Sequence, residues 1–435
     1  MNTEATGSTP AARDHASSKR ATNAPGCPVV DGVRFDPLDP AQTDNPYPWM
    51  EVARREAPVF YLPEKDVYCV TRYDDVLAVM RDDETFSAAN AVTPIAMRGP
   101  LAEIFPNGHP IQHSLLRKDP PEHHVVRRLV QQNFTPTAIA EYEPIVRERV
   151  THLIDDFVED GHCDLVTQYT GKLPAQVICD IIGVPDAEGQ DLANWADDTM
   201  RLFEGAPALT SEDEIDLARR AKPVMDWLTG FVDDRHRNPR DDLTSALLLA
   251  AKDGNVVMTV EQVVGFIDSL LIAGVGTTKN FIALAMRELL SHRDQWEELQ
   301  ADRSLLDNAL EECLRIRTPS RGSRRIATRA VELGGVQIPQ GAQVHLMLYS
   351  PQRDESVFDR PDDFDIHRAN AKKHFAFGRW THMCLGMNLA KLEARLSLEA
   401  FLDRLPNVRL VPQQEWHWEP NMTIAQFKSL LLEWD

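Results

Sequence analysis

Apolar residues recur at helical spacing through the middle of the chain. That period gives candidate helices at 121–133, 138–159, 164–182, 189–204, 213–236, 241–252, 259–290, 293–301 and 304–317. Ahead of them, Asn45-Pro46-Tyr47-Pro48 forms a turn into a short helix at Trp49–Glu56. Val59-Phe60-Tyr61 and Val67-Tyr68-Cys69-Val70-Thr71 flank a polar turn at Glu64-Lys65, which predicts a β-hairpin. A helix at Tyr73–Arg81 follows. From Ser87 to Lys118 the pattern dissolves, and Gly99-Pro100 and Pro106-Asn107-Gly108 mark turns. A loop that long in a compact domain is usually functional or mobile. Beyond Pro319 strands take over, with hairpin turns at Gly334-Gly335 and Pro339-Gln340-Gly341 and a proline-rich meander at 351–373. Short strands return around Val408-Arg409-Leu410 and Leu430-Leu431-Leu432. The pattern is mainly α with small β-sheets.

The 435 residues could hold two cores, but no linker cuts the helical run, so 28–435 reads as one domain. Residues 1–27 are rich in Ala, Ser, Thr and Asn and lack the apolar core of a secretion signal. They read as a disordered extension. Hydrophobic content of 43% without an apolar run near 18 residues argues against a membrane span. A net charge of −21 argues against nonspecific nucleic-acid binding. The six cysteines form no CxxC pair, so neither a zinc site nor a disulfide framework is indicated, and a reducing cytoplasm is the simplest setting.

The chemistry concentrates in His374-Phe375-Ala376-Phe377-Gly378-Arg379-Trp380-Thr381-His382-Met383-Cys384-Leu385-Gly386. A helical run starts near Met387, so Cys384 sits where unpaired N–H groups and the helix dipole favour a thiolate. A lone cysteine is more often buried and inert. The surroundings decide against that here. The segment resembles the heme-binding loop of cytochromes P450, Phe-Gly-x-Gly-x-His-x-Cys-x-Gly. Phe377, Gly378, His382, Cys384 and Gly386 match, and Trp380 stands where the family usually has glycine. The resemblance implies the P450 fold, a heme b (iron protoporphyrin IX) cofactor and Cys384 as the iron ligand.

Thr259-Val260-Glu261-Gln262 looks like a capping box opening a helix of roughly 45–50 Å, apolar nearly all round. Its centre, Ala273-Gly274-Val275-Gly276-Thr277-Thr278, is similar to the family's distal-helix motif Ala-Gly-x-(Asp/Glu)-Thr. Close helix packing accounts for the two glycines about as well when they are taken alone. With the resemblance, Ala273, Gly274 and Thr277 match, and a local opening of the helix makes room for dioxygen. Gly276 takes the place of the proton-relaying acid, so the relay runs through water, substrate or another side chain. Asp119-Pro120-Pro121-Glu122-His123 resembles the segment whose His and Arg, four apart, bind heme propionates, here His123 and Arg127. Arg325 and His382 match the other two propionate donors. Glu312-Cys313-Leu314-Arg315 matches the Glu-x-x-Arg motif, whose third partner is either Arg360 or Arg368.

The resemblance implies a monooxygenase inserting one oxygen atom from O2 into a small organic substrate, by hydroxylation or O-demethylation. Electrons from NAD(P)H come through a ferredoxin or flavodoxin and its reductase, docking on the cysteine side near Arg128, Arg379 and Lys391. An H2O2-dependent peroxygenase and a non-catalytic heme sensor are the competing readings. Expected pocket positions are the 87–118 loop, the 198–206 helix end, Leu270, Leu271, Arg321, Ser323, Thr423 and Ile424. Arg321, four residues before Arg325, is a candidate partner for a substrate carboxylate, unless it turns away to a propionate or a protein acid.

Overall fold

The computed structural model describes residues 24–89, 91, 103–105, 113–185, 192, 195, 211–252, 255, 256 and 258–435. The 198–206 helix end, most of the 87–118 loop and most of the 189–204 helix fall outside them. Ala24 and Cys27, within the expected extension, are buried, and Tyr61 donates its amide to the Pro25 carbonyl at 3.1 Å.

The expected hairpin pairs Val59–Leu62 with Val67–Val70. It belongs to a five-stranded sheet in the order Val59–Leu62, Val67–Val70, Gln343–Met347, Gly322–Ala327, Phe86–Ser87. Gln343–Leu346 lies parallel to Val67–Val70, a pairing across most of the chain that no local pattern announces. Around this sheet the helices form the main core. The helix Val260–Ser291 runs through its middle, packed by Leu173–Ile182, Ser211–Arg237, Leu306–Ile316 and Met387–Arg404. The capping box is present: Thr259 Oγ1 accepts from Gln262 N–H, and Gln262 Oε1 accepts from Thr259 N–H at 2.9 Å. By length and composition this helix could cross a membrane, contrary to the reading of the apolar runs. Most of it is packed inside the protein instead.

Three boundaries differ from expectation for visible reasons. The run 138–159 breaks into Pro136–Ala140 and Glu143–Asp155, because Pro144 in the first turn of the second helix starts a new one. The run 164–182 opens as the strand His162–Asp164, paired with Leu431–Glu433. It then passes through a wide turn closed by Gly171 N–H on the Val166 carbonyl at 2.8 Å, before Leu173–Ile182. The run 241–252 shrinks to Leu243–Leu249, capped by Asp242 on Ser245 N–H at 2.8 Å.

Candidate functional site

The cysteine loop is held as a tight turn. Gly378 takes φ +63°, Phe375 accepts the Gly378 amide at 2.8 Å, and Phe377 accepts the Cys384 amide at 2.8 Å. Trp380 also adopts a left-handed φ of 51°, the backbone that glycine supplies in the family pattern. Gly386 then caps the helix Met387–Arg404, and the amides of Gly386 and Met387 both point at the Cys384 sulfur. Cys384 is exposed as a residue, unlike the five other cysteines, yet protein crowds around its thiol. Burial raises the thiol pKa and outweighs the two amides and Arg127, so the expected lowering is absent in the protein alone. A metal cation bound to the sulfur would supply what is missing, because a coordinating thiol is deprotonated outright.

Four basic or N–H-bearing side chains gather beside this loop. His123 and His382 rings lie 4.6 Å apart, and Arg325 and Arg127 act electrostatically on His382. Burial, with these neighbours, pushes His382 down to about 3 and His123 down to about 4. His123 Nδ1, His382 Nε2 and Arg325 Nε are buried with no hydrogen-bond partner among the described residues. Arg127 Nη1 donates to the Met383 carbonyl at 2.7 Å, one residue from the thiol. Buried donors are rarely left unpaired. One thiol ringed by such donors fits an iron porphyrin carrying two carboxylates.

The distal helix bears a matching mark. It is buried along most of its length, but Ala273 is exposed and Leu270, Gly274 and Thr277 are partly so. Positions i, i+3, i+4 and i+7 share one helix face, so Leu270, Ala273, Gly274 and Thr277 form an accessible strip; Gly276 and Lys279, off that face, are partly accessible as well. The Thr277 hydroxyl donates to the Ala273 carbonyl at 2.6 Å. The expected local opening is absent, since the helix runs unbroken from Val260 to Ser291. Gly276 has nothing within 4 Å of where a Cβ would sit.

The cytochrome P450 family model matches residues 219–423. Putative cytochrome P450 YjiB of Bacillus subtilis (strain 168) is 34% identical over 84% of this chain and 89% of its own length. Cytochrome P450 monooxygenase PikC of Streptomyces venezuelae is 35% identical over 90% and 91%. The chain belongs to the cytochrome P450 family. Among solved structures, cytochrome P450 CREJ in complex with (4-ethylphenyl) dihydrogen phosphate superposes with a TM-score of 0.86 at 30% identity, covering 92% of this chain and 99% of that one. The protein is therefore a P450 monooxygenase, and its family implies heme.

The scaffold pair of this P450 is complete. Glu312 and Arg315 are fully buried, and Arg315 Nε and Nη2 each bond the carboxylate at 2.7 Å. Arg368, not Arg360, is the third partner, with Nε 3.0 Å from Glu312 Oε1. Arg360 is exposed and pairs with Asp363.

Several expected pocket positions are corrected. Leu271 is fully buried in the core, on the helix face away from the accessible stripe. Ile424 is also buried, bridged to Ser320, whereas Thr423 and Ser323 are partly accessible. Ser323 Oγ accepts from Arg325 Nη1 at 3.0 Å. Arg321 turns away from the role of substrate anchor. Its Nη2 donates to the Thr43 carbonyl, and its guanidinium lies over the Tyr349 and Trp418 rings. A backbone carbonyl and two π faces hold it, with the Asp44 carboxylate acting electrostatically from nearby. Its neighbour Ser320 is the partly accessible one. On the cysteine side, Lys391 is bound to Glu311 at 2.6 Å and Arg379 to the carbonyls of Lys372 and His374. Arg128 stays exposed.

One residue went unnoticed in the sequence. Asn280, buried, donates to the Gly276 carbonyl at 2.7 Å and accepts from Phe427 N–H at 2.9 Å, tying the distal helix to the hairpin that carries Thr423. A buried amide in an apolar helix was its signal.

Proposed function

We propose that this P450 inserts one atom of O2 into a C–H bond of a small organic substrate, or demethylates an ether, using Cys384 as iron ligand and Thr277 as proton donor. The single observation behind this reading is the accessible strip Leu270–Ala273–Gly274–Thr277 on a mostly buried helix, in a chain whose one exposed cysteine is Cys384. A bound heme supplies the redox chemistry, taking up electrons singly and activating dioxygen. The chain's own residues hold and protonate. Arg127 and Arg325 would offset the charge of the two propionates, and His123 and His382, whose burial keeps them neutral, would donate N–H bonds to them. The amides of Gly386 and Met387 orient the sulfur. Thr277 releases the Ala273 carbonyl and gives its proton on the oxygen side, then is recharged by water, since Gly276 offers no acid.

Electrons come from NAD(P)H through a ferredoxin or flavodoxin and its reductase. Arg128 is a cation open to such a partner on the cysteine side, whereas Lys391 is already paired. With Arg321 committed to Thr43, the carboxylate-substrate reading loses the cation it was built on. Six free cysteines suit a cytoplasmic setting.

The missing acid at Gly276 favours one rival reading, a peroxygenase. Thr277→Ala separates the two in a reconstituted ferredoxin system. The monooxygenase reading expects NADH consumption to persist while product falls and H2O2 accumulates, with spectral substrate affinity unchanged. Unaltered coupling in that variant removes Thr277 from the mechanism. Product formed with H2O2 alone at the full rate makes the enzyme a peroxygenase. Cys384→Ala is expected to abolish the reduced CO band at about 450 nm.

A further inference from the structure

The loop that carries Cys384 is anchored at its start by a buried carboxylate, Glu311, that accepts from a neutral histidine and a lysine. His374 Nε2 lies 2.8 Å from Glu311 Oε2, and Lys391 Nζ lies 2.6 Å from Glu311 Oε1. His374 and Glu311 are both buried, and Lys391 is about two-thirds covered. The other imidazole nitrogen, Nδ1, accepts the Ala376 amide at 3.2 Å. An acceptor carries no proton, so the ring proton sits on Nε2 and donates to Glu311. Burial alone would raise the Glu311 carboxyl; the bonds from His374 and Lys391 hold it down to about 2, so it stays ionised.

These contacts join three elements. Glu311 belongs to the helix Leu306–Ile316, beside the Glu312 of the scaffold pair. Lys391 lies on the helix Met387–Arg404, in its second turn. His374 stands at the head of the loop between them. From its ring the connection runs without a gap to the ligand. Ala376 N–H is held by Nδ1, the next residue Phe377 receives the Cys384 amide, and the Lys391 ammonium sits 5.3 Å from the Phe377 ring. Arg379 adds a second hold, donating to the His374 carbonyl at 3.1 Å.

A buried ion pair is often no more stabilising than apolar residues of the same volume, so its directional bonds, not its energy, are what distinguish it. We propose that His374, fixed by Glu311 and Lys391, is a positioning residue for the Cys384 ligand, setting where the loop presents its sulfur. The proposal rests on Cys384 being the iron ligand. His374 touches neither the sulfur nor the heme site; it acts through the Ala376 amide and the Phe377–Cys384 hydrogen bond. Two separable halves follow. The Nε2–Glu311 bond orients the ring, and the Nδ1 bond passes that orientation to the loop.

The test uses the heme-loaded full chain with His374→Gln, His374→Asn and Glu311→Gln. Glutamine reaches Glu311 but gives up the acceptor at Nδ1, and asparagine does the reverse. Three readouts are compared with wild type: the CO band of the reduced protein, the rate of heme transfer to apomyoglobin, and the thermal midpoint. Each variant is expected to lose heme about tenfold faster, the scale of one lost charge-assisted bond. Each should also convert part of its CO band to a shorter wavelength while melting in the wild-type range. Wild-type heme transfer and an intact band in all three variants overturn the proposal. Band loss that only follows a lowered midpoint overturns it too, because His374 then supports the fold and not the ligand. A wild type without the band near 450 nm fails for a different reason: Cys384 is not the ligand, and the functional reading falls first.

Discussion

Trp380 holds a left-handed backbone, φ 51°, with 45% of its surface exposed. For an L-residue with a Cβ that conformation costs roughly 1–2 kcal/mol. The turn it serves is the cysteine loop, which closes through Trp380 O on Met383 N–H at 3.0 Å. The loop therefore tolerates a bulky residue where glycine is unstrained. Comparing Trp380→Gly with Trp380→Ala isolates that cost, since both remove the ring. Glycine is expected to be the more stable replacement by about 1 kcal/mol in denaturant unfolding, the reverse of its usual rank. An alanine variant as stable as the glycine one removes the strain argument. Gly276 is the complementary case. It has open space at its Cβ, so Gly276→Asp should load heme normally and place a carboxylate beside Thr277. Its solvent isotope effect on product formation should differ from wild type; an identical value means protons do not pass that position.

At the scale of elements, the short helix Pro40–Thr43 is clamped by three arginines from two distant segments. Arg287 bonds the Asp44 carboxylate at 2.7 and 3.3 Å, Arg317 the Asp44 carbonyl at 2.7 Å, and Arg321 the Thr43 carbonyl. Trp418 Nε1 adds a bond to Asp44 at 3.1 Å, and the Arg287 guanidinium lies 4.2 Å from the Trp416 ring. Arg287 is largely buried. Removing its carboxylate leaves a buried charge without its ion, so Asp44→Ala should cost about 3 kcal/mol, read as a lower denaturation midpoint. Loss of under 1 kcal/mol would show that the aromatic faces carry Arg287 alone. This clamp also explains Arg321. Its place in a run of arginines pointed to a charge near the heme, but its partners come from residues 43, 349 and 418, which only the folded chain brings together.

Over the whole molecule, polar groups are buried in quantity, and not all are satisfied. Glu312 receives Arg315, Arg368 and the Asp365 amide, a complete set. Glu393 differs: it is buried, its Oε2 has no partner among the described residues, and burial raises its pKa well above 4.5. The folded protein then keeps a proton that the unfolded chain gives up. Stability should fall as pH rises above about 4.5, and Glu393→Gln should flatten that slope, gaining on wild type as pH increases. Equal slopes in thermal unfolding across pH 5–8 for the two proteins would show Glu393 to be paired.

The sequence alone determined most of the helical segments among the described residues and the capping box at Thr259, because those depend on neighbours a few residues apart. The bounds Tyr73–Arg81 and Arg293–Ala301 follow directly from it. The Cys384 loop was legible because the cysteine, its flanking glycines and its histidine lie within a dozen residues. Contacts across the chain were not. The choice of Arg368 over Arg360, the burial of Leu271, the turn of Arg321 toward Thr43 and the pairing of Lys391 with Glu311 all depend on what packs against each side chain. The same holds for the thiol of Cys384. A helix N-terminus lowers a thiol pKa locally, but the mass of protein around the sulfur raises it, and the amount of that burial is a property of the tertiary fold.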